Sequence, residues 1–164
     1  MPDKPMTAVV DIDGVLADVR HRLRHVTSRP KDWPAFFAAA AEDTLLDEGE
    51  RTVRALAEVY DVVYLSGRPE HLRRVTEDWF RRYGLPEGTL LLRPEGDFRP
   101  SRIFKVESLR RLARDRTVVV LVDDDERVLA AAREAGFDVL PATWMGSAED
   151  LPALRQAQEE DGRT

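Results

Sequence analysis

Two apolar runs far apart in this chain end in the same way. Ala8-Val9-Val10 leads straight into Asp11-Ile12-Asp13-Gly14, and Thr117 to Val122 leads straight into Asp123-Asp124-Asp125. Short apolar runs rich in β-branched residues read as buried strands. Carboxylates are poor sheet formers, so each acidic group marks the point where the backbone leaves the core. Asp11 and Asp13 share parity, so an extended chain points both the same way. Carboxylates held together repel unless a cation or a shared proton relieves them. Gly14 lets the chain turn sharply and pass close to a ligand.

Between and after these runs, strands and helices alternate. Asp61 to Gly67, Thr89 to Leu92 and Phe137 to Leu140 read as three further strands, and Thr117 to Val122 as the best buried of the five. Asp47-Glu48-Gly49-Glu50 has capping-box spacing and opens an amphipathic helix on Val53, Leu56, Ala57 and Tyr60. Glu70 to Tyr83 is a patterned helix stopped by Gly84-Leu85-Pro86. Ser101 can cap a helix running to about Ala113, and Asp125 stands at the start of one running from Glu126 to Ala135. Ser147-Ala148-Glu149-Asp150 can cap a last short helix anchored by Leu151 and Leu154, and the chain from about Glu159 is expected to fray.

This alternation predicts an α/β fold: a Rossmann-like parallel sheet of about five strands with helices on both faces. Right-handed crossovers place every strand C-terminus at one edge, and ligands bind there, where strand order reverses. Asp11 and Asp13, Ser66, and Asp123 with Asp124 are therefore expected together. Residues 18–60 exceed a simple crossover helix and predict a small helical insert after the first strand. Asp32-Trp33-Pro34 starts a helix within it. The expected organisation is one domain over residues 1–146, then a C-terminal helix and frayed polar tail over 147–164.

Composition narrows the function. The chain has 164 residues, room for one proper core. No apolar run approaches the roughly 18 residues that cross a bilayer, and the start carries no signal-peptide pattern, so a cytoplasmic location is expected. With no cysteine, disulfides and thiolate metal sites are excluded. A net charge of −6 disfavours bulk adhesion to nucleic acid, although clustered arginines leave room for a local basic surface. Lys4, Lys31 and Lys105 are the only lysines, which singles out Lys105, since lysine and arginine are not equivalent at a tight site. His21 and His25 have helical spacing, but no third ligand accompanies them, and a basic turn or substrate-facing segment is the better reading.

The inventory at the expected edge suits phosphate chemistry. Carboxylates around an oxygen-lined pocket favour Mg²⁺, and zinc is disfavoured without nearby histidine or cysteine. A lysine and a serine hydroxyl beside Mg²⁺ suit phosphoryl oxygens. One carboxylate can attack phosphorus, and a second can protonate the departing oxygen and later activate water.

These residues resemble the haloacid-dehalogenase-like phosphohydrolases through four motifs in order. Asp11-Ile12-Asp13-Gly14-Val15-Leu16 is similar to the first, Leu65-Ser66-Gly67-Arg68 to the second, Lys105 to the third and Val122-Asp123-Asp124 to the fourth. The resemblance spans roughly Thr7 to Leu140. It implies that Asp11 is the nucleophile and Asp13 the general acid and then base, with its backbone carbonyl on Mg²⁺. It implies that Ser66 and Lys105 hold phosphoryl oxygens and that Asp123 and Asp124 bind Mg²⁺ directly or through water, Asp123 being the first choice for the direct ligand. Val15 departs from the threonine most common in the family's phosphatases.

A narrower resemblance covers Asp13 to Asp18, His21-Arg22, Lys31-Asp32-Trp33, Ser66 to Glu70, Thr76 to Trp79 and Leu92 to Arg99. These segments resemble the phosphatase domain of polynucleotide kinase-phosphatases, which removes 3′-phosphates from nucleic-acid ends. No Gly-x-x-x-x-Gly-Lys-Ser/Thr stretch is present, so a stand-alone phosphatase module is expected, with no obligate protein partner and no membrane.

Substrate contacts are expected from Gly67 and Arg68 beside Ser66, and from His21, Arg22 and Arg24 at the start of the insert. Arg93 and Arg99 flank Asp97, where bracing the loop and touching the substrate are equal alternatives. Trp33 and Phe36 read as core rather than as a stacking surface. Three rival functions stand beside the 3′-phosphatase. A 5′-nucleotidase on free nucleotides shares Asp-x-Asp-Gly-Val-Leu-Ala-Asp. A phosphoacceptor signalling domain gathers similar groups, but with the acidic pair after its first strand and the lone acceptor after a central one. A catalytically dead binding module has no support, because every expected catalytic group is present.

Overall fold

The computed structural model describes residues 3–146 and 151–164. In chain order the elements are β1 (Met6–Val10), β2 (Ala17–Asp18), α1 (Arg24–Thr27), α2 (Trp33–Ala38), β3 (Thr44–Leu45), α3 (Asp47–Ala57), β4 (Asp61–Pro69), α4 (Arg73–Tyr83), β5 (Thr89–Arg93), α5 (Ser101–Leu112), β6 (Thr117–Asp123), α6 (Glu126–Glu134), β7 (Val139–Pro141) and α7 (Leu151–Glu160). Five strands form one parallel sheet in the order β5-β4-β1-β6-β7, as expected. The chain runs outward from β1 to β5, then returns to the other side of β1, so the order reverses between β1 and β6. Asp11 and Asp123 leave the sheet on either side of that reversal, and the Asp11 amide still donates to the Val122 carbonyl.

Strand parity sorts the core into two layers. Val10, Tyr64 and Val122 face one cluster with Val53, Leu72 and Trp79, which come from α3, the turn before α4, and α4. Val9, Val63, Leu65 and Leu121 face the other, with Phe104 and Leu109 from α5 and Val128 and Ala132 from α6. The best buried strand is β4, covered from Val62 to Pro69, rather than β6, whose Val118 to Val120 are only partly covered. No described helix is long and apolar enough to cross a membrane.

The segment after β1 carries α1 and α2, as the insert reading required, and adds a two-stranded antiparallel ribbon of β2 with β3. Trp33 and Phe36 are core residues here. Asp32 caps α2 by accepting from the Ala35 amide. Two expected caps are not made. The N-cap of α3 is Leu46, so the Asp47 spacing forms no capping box. Pro100 precedes α5, and Ser101 turns its hydroxyl to the Thr164 carbonyl at 2.6 Å. Asp125 does cap α6. The cap expected at residues 147–150 lies outside the described residues.

The chain after Glu159 is not frayed. Leu151, Leu154 and Ala157 of α7 join the α4-side core. Glu159 pairs with Arg102 and Asp161 with Lys31, both at 2.8–2.9 Å. Thr164 is 4% exposed. Its burial by Ser101 and Gly67 is a long-range contact that local polarity could not announce.

Candidate active site

Three carboxylates meet at the strand-order reversal. Oxygens of Asp11, Asp123 and Asp124 all lie within 4.8 Å of one another. Lys105, from α5, places Nζ 2.6 Å from Asp123 Oδ2 and 3.1 Å from Asp11 Oδ2. Arg155, from α7, reaches Asp124 Oδ2 at 3.1 Å. Gly14 makes this cluster sterically feasible. Its φ is +81°, and a Cβ there would lie 2.2 Å from Asp124 Oδ2.

The cluster holds more negative charge than its two cations offset. Burial, with Asp123 alongside, pushes the Asp11 carboxyl well above the ordinary range despite Lys105. Burial and Asp123 also push Asp124 up to about 7, against the pull of Arg155 and Lys105. Burial opposes the charge on Lys105, but Asp11 and Asp123 outweigh it and raise its pKa. Such a site has capacity for one more cation, and its oxygen donors suit a hard one.

Asp13 faces elsewhere. Its Oδ1 accepts from Arg68 Nε at 3.0 Å, Arg68 Nη2 at 2.7 Å and Arg22 Nη2 at 3.0 Å. Burial would raise its pKa, but Arg68 and Arg22 outweigh that and hold it at about 2. Its side chain therefore belongs to an arginine cage and not to the carboxylate cluster. The two aspartates of Asp-x-Asp-Gly occupy different electrostatic settings two residues apart.

Ser66, Gly67 and Arg68 come to the site through an irregularity in β4. Its register against β5 shifts between Leu65 and Pro69. A bulge of this kind re-aims side chains at a sheet's end. Ser66 is 1% exposed and its Oγ accepts from the Arg68 amide. Gly67 lies against Thr164, and a Cβ on it would come 2.3 Å from the Thr164 carbonyl carbon. Thr164 Oγ1 donates at 3.4 Å to Asp13 Oδ2, which has no other hydrogen-bond partner among the described residues.

The family follows from the sequence as a whole. A model described as "Polynucleotide kinase PNKP phosphatase domain" matches residues 5–143. The chain belongs to this family. It is thus a phosphatase domain of PNKP type, as the narrower resemblance implied. Solved structures agree on the fold. One chain of the Pnkp1/Rnl/Hen1 RNA repair complex is 25% identical with a TM-score of 0.68, over 84% of this chain and 42% of that one. This chain thus spans less than half of that protein. A haloacid dehalogenase-like hydrolase from Streptococcus pneumoniae (13% identity, TM-score 0.57, 89% of both chains) shares the fold. So does the magnesium-bound HAD-hydrolase YfnB from Bacillus subtilis, at 10% identity and a TM-score of 0.57 over 84% of this chain and 88% of that one. No curated protein matches.

Other sequence-named residues of this PNKP-type domain divide by what their donors meet. Arg93 is 1% exposed and donates to the carbonyls of Gly67, Asp97 and Arg99 and to Ser101 Oγ. Its whole fork braces the loop after β5. Arg99 lies on the surface, paired with Asp97 and Glu107. Arg22 is buried in the cage, while His21 is half-exposed with Nε2 2.6 Å from Asp43 Oδ1.

Three participants escaped sequence reasoning. Asp43 accepts from Arg22, Arg68 and His21 and is 1% exposed. Thr76 accepts from Arg68 Nη1. Arg155 reaches Asp124 from α7. Asp43 follows an alanine run and a glutamate, and nothing in that setting marks it. Thr76 alone lies in a segment that carries the resemblance, Thr76 to Trp79, but with no role implied.

Proposed function

We propose that this phosphatase hydrolyses 3′-phosphate ends of nucleic acid, with Mg²⁺, through an aspartyl-phosphate. One observation supports the reading above all. Asp11 sits with Lys105, Asp123 and Asp124, whereas Asp13 sits with Arg22 and Arg68. Without a cation the two settings run against these roles, Asp11 being pushed up and Asp13 held down. A cation among the three carboxylates would ionise Asp11, and Asp13, outside that cluster, would be left to respond to the phosphate.

Asp11, Asp123 and Asp124 would hold the metal, with the Asp13 backbone carbonyl alongside. When bound, Mg²⁺ supplies positive charge that offsets the phosphoryl oxygens. Asp11 attacks phosphorus, and a bond to its carboxylate oxygen forms as the ester P–O bond breaks. The departing oxygen takes a proton from Asp13. An approaching phosphate adds like charge beside Asp13 and favours its protonated form. Asp13 then takes a proton from water, whose oxygen attacks the same phosphorus. The acyl-phosphate P–O bond breaks, releasing inorganic phosphate and restoring the Asp11 carboxylate. Ser66 and Lys105 donate to the phosphoryl oxygens, Gly67 stands at the approach, and Arg22 and Arg68, both buried, act through Asp13.

The family description supports a nucleic-acid end as substrate. The Pnkp1/Rnl/Hen1 structures are of a complex, which weighs against the expectation of no protein partner. The test compares phosphate release, with Mg²⁺, from a 3′-phosphorylated oligonucleotide, a 3′-mononucleotide and a 5′-mononucleotide. The oligonucleotide should react fastest. A faster 5′-mononucleotide would replace this reading with a nucleotidase. A stably phosphorylated protein without turnover would point to a phosphoacceptor domain.

A further inference from the structure

Asp43 is a buried carboxylate with no part in the steps above. Both its oxygens are engaged. Oδ1 meets Arg22 Nε at 2.8 Å and His21 Nε2 at 2.6 Å, and Oδ2 meets Arg22 Nη2 at 2.8 Å and Arg68 Nη2 at 2.9 Å. Its own backbone is pinned, since the Asp43 carbonyl accepts from the fully buried Trp79 Nε1 at 2.8 Å. The Arg82 guanidinium holds the neighbouring Ala41 carbonyl at 2.8 Å. Asp43 is thus fixed from α4, at the base of the β2–β3 ribbon.

The two arginines it grips are the two that grip Asp13. Arg22 uses one edge of its fork on Asp43 and shares Nη2 with Asp13, and Arg68 shares its Nη2 in the same way. Every arginine donor that reaches Asp13 lands on Oδ1. The opposite oxygen, Oδ2, faces Thr164, whose Oγ1 donates to it at 3.4 Å and whose backbone packs on Gly67. A guanidinium is planar and rigid, so fixing one edge fixes where the other points.

We propose that Asp43 is a positioning residue for the phosphatase reaction. It sets the planes of Arg22 and Arg68 so that both bind Oδ1 of Asp13 and leave Oδ2 as the oxygen that carries the proton. This rests on the reading of Asp13 as proton carrier. A carboxylate that merely neutralised two buried arginines would affect all substrates alike. A carboxylate that orients the proton carrier matters most where the leaving oxygen needs a proton.

The experiment compares kcat for a 3′-phosphorylated oligonucleotide, which leaves as a basic alkoxide, with kcat for p-nitrophenyl phosphate, which needs little help. The protein is the whole chain with Mg²⁺, and the variant is Asp43→Asn. The oligonucleotide rate should fall about 10²-fold, the aryl rate less than about threefold. Equal losses on both substrates, or no loss on either, overturn the proposal. If Asp43→Asn does not fold, Asp43→Glu keeps the charge and shifts the carboxylate by one methylene. The same split is expected, and unaltered rates on both substrates would overturn the proposal. Asp13→Asn separates the two readings. If it shows no split, the proton-carrier reading fails and this inference with it. If it shows the split and Asp43→Asn does not, only the role of Asp43 fails.

Discussion

Arg68 holds Asp13 by two nitrogens that converge on one oxygen, Nε at 3.0 Å and Nη2 at 2.7 Å from Oδ1. The same Nη2 also reaches Asp43, and Nη1 reaches Thr76. Arg68→Ala should therefore leave two buried carboxylates short of a cation, at a cost of about 3–5 kcal/mol in urea unfolding. Arg68→Lys should recover part of that stability and little activity, since one ammonium cannot replace the fork. Near-normal turnover in Arg68→Lys would show that charge alone suffices.

Asp11→Asn should lower turnover at least about 10⁴-fold, the scale seen when a nucleophile is removed. Its stability should behave differently. Burial, Asp123 and Asp124 all disfavour the Asp11 charge. In metal-free protein the neutral amide should leave the thermal midpoint unchanged or raise it. A marked drop would mean that the Lys105 contact outweighs the repulsion.

The same repulsion sets a pH dependence in metal-free protein. The folded Asp124 carboxyl titrates at about 7, against an ordinary value of 3.8. Between those values the folded state binds more protons than the unfolded state, so stability falls as pH rises through that window. Asp11 acts in the same direction. Denaturation midpoints from pH 4 to pH 7 should decline, and Mg²⁺ should flatten the decline. A slope indifferent to Mg²⁺ would argue against a cation among these carboxylates.

Arg93 separates bracing from substrate contact. Its donors are spent on Gly67, Asp97, Arg99 and Ser101. Arg93→Ala should cost about 3 kcal/mol through acceptors left unpaired. Arg99→Ala, at an exposed pair, should cost less than about 1 kcal/mol. A raised KM in Arg93→Ala with unaltered stability would restore it as a substrate contact.

Segment 162–164 places Thr164 against Gly67 and Oδ2 of Asp13. Deleting it should lower KM for a 3′-phosphorylated oligonucleotide and leave kcat nearly unchanged, because substrate would no longer compete with the docked segment. A higher KM would show that the segment helps to hold substrate.

The sheet and the carboxylate cluster were legible because each rests on a local pattern. An apolar run ending in acids needs no distant information to be read as a strand end, and parallel topology then brings Asp11, Ser66 and Asp123 to one edge. Lys105 stood out because the chain has so few lysines. The arginine cage was half legible. Arg22 and Arg68 were named, but toward substrate rather than toward Asp13 and Asp43. Their joining acid sits in the insert, where no periodicity fixes geometry. The seating of Thr164 was hidden for another reason. A polar end reads as solvated unless its partners are known, and Ser101 and Gly67 are partners only in three dimensions.

That seating governs how this protein can be joined to others. Whatever follows Thr164 in a fusion leaves from beside the proposed proton carrier, whereas β1 begins at the opposite edge of the sheet. A nucleic-acid-binding module attached after Thr164 by a short flexible linker would hold its ligand beside the proposed site at an effective concentration on the order of millimolar. The same module attached before Met6 would have to reach around the sheet.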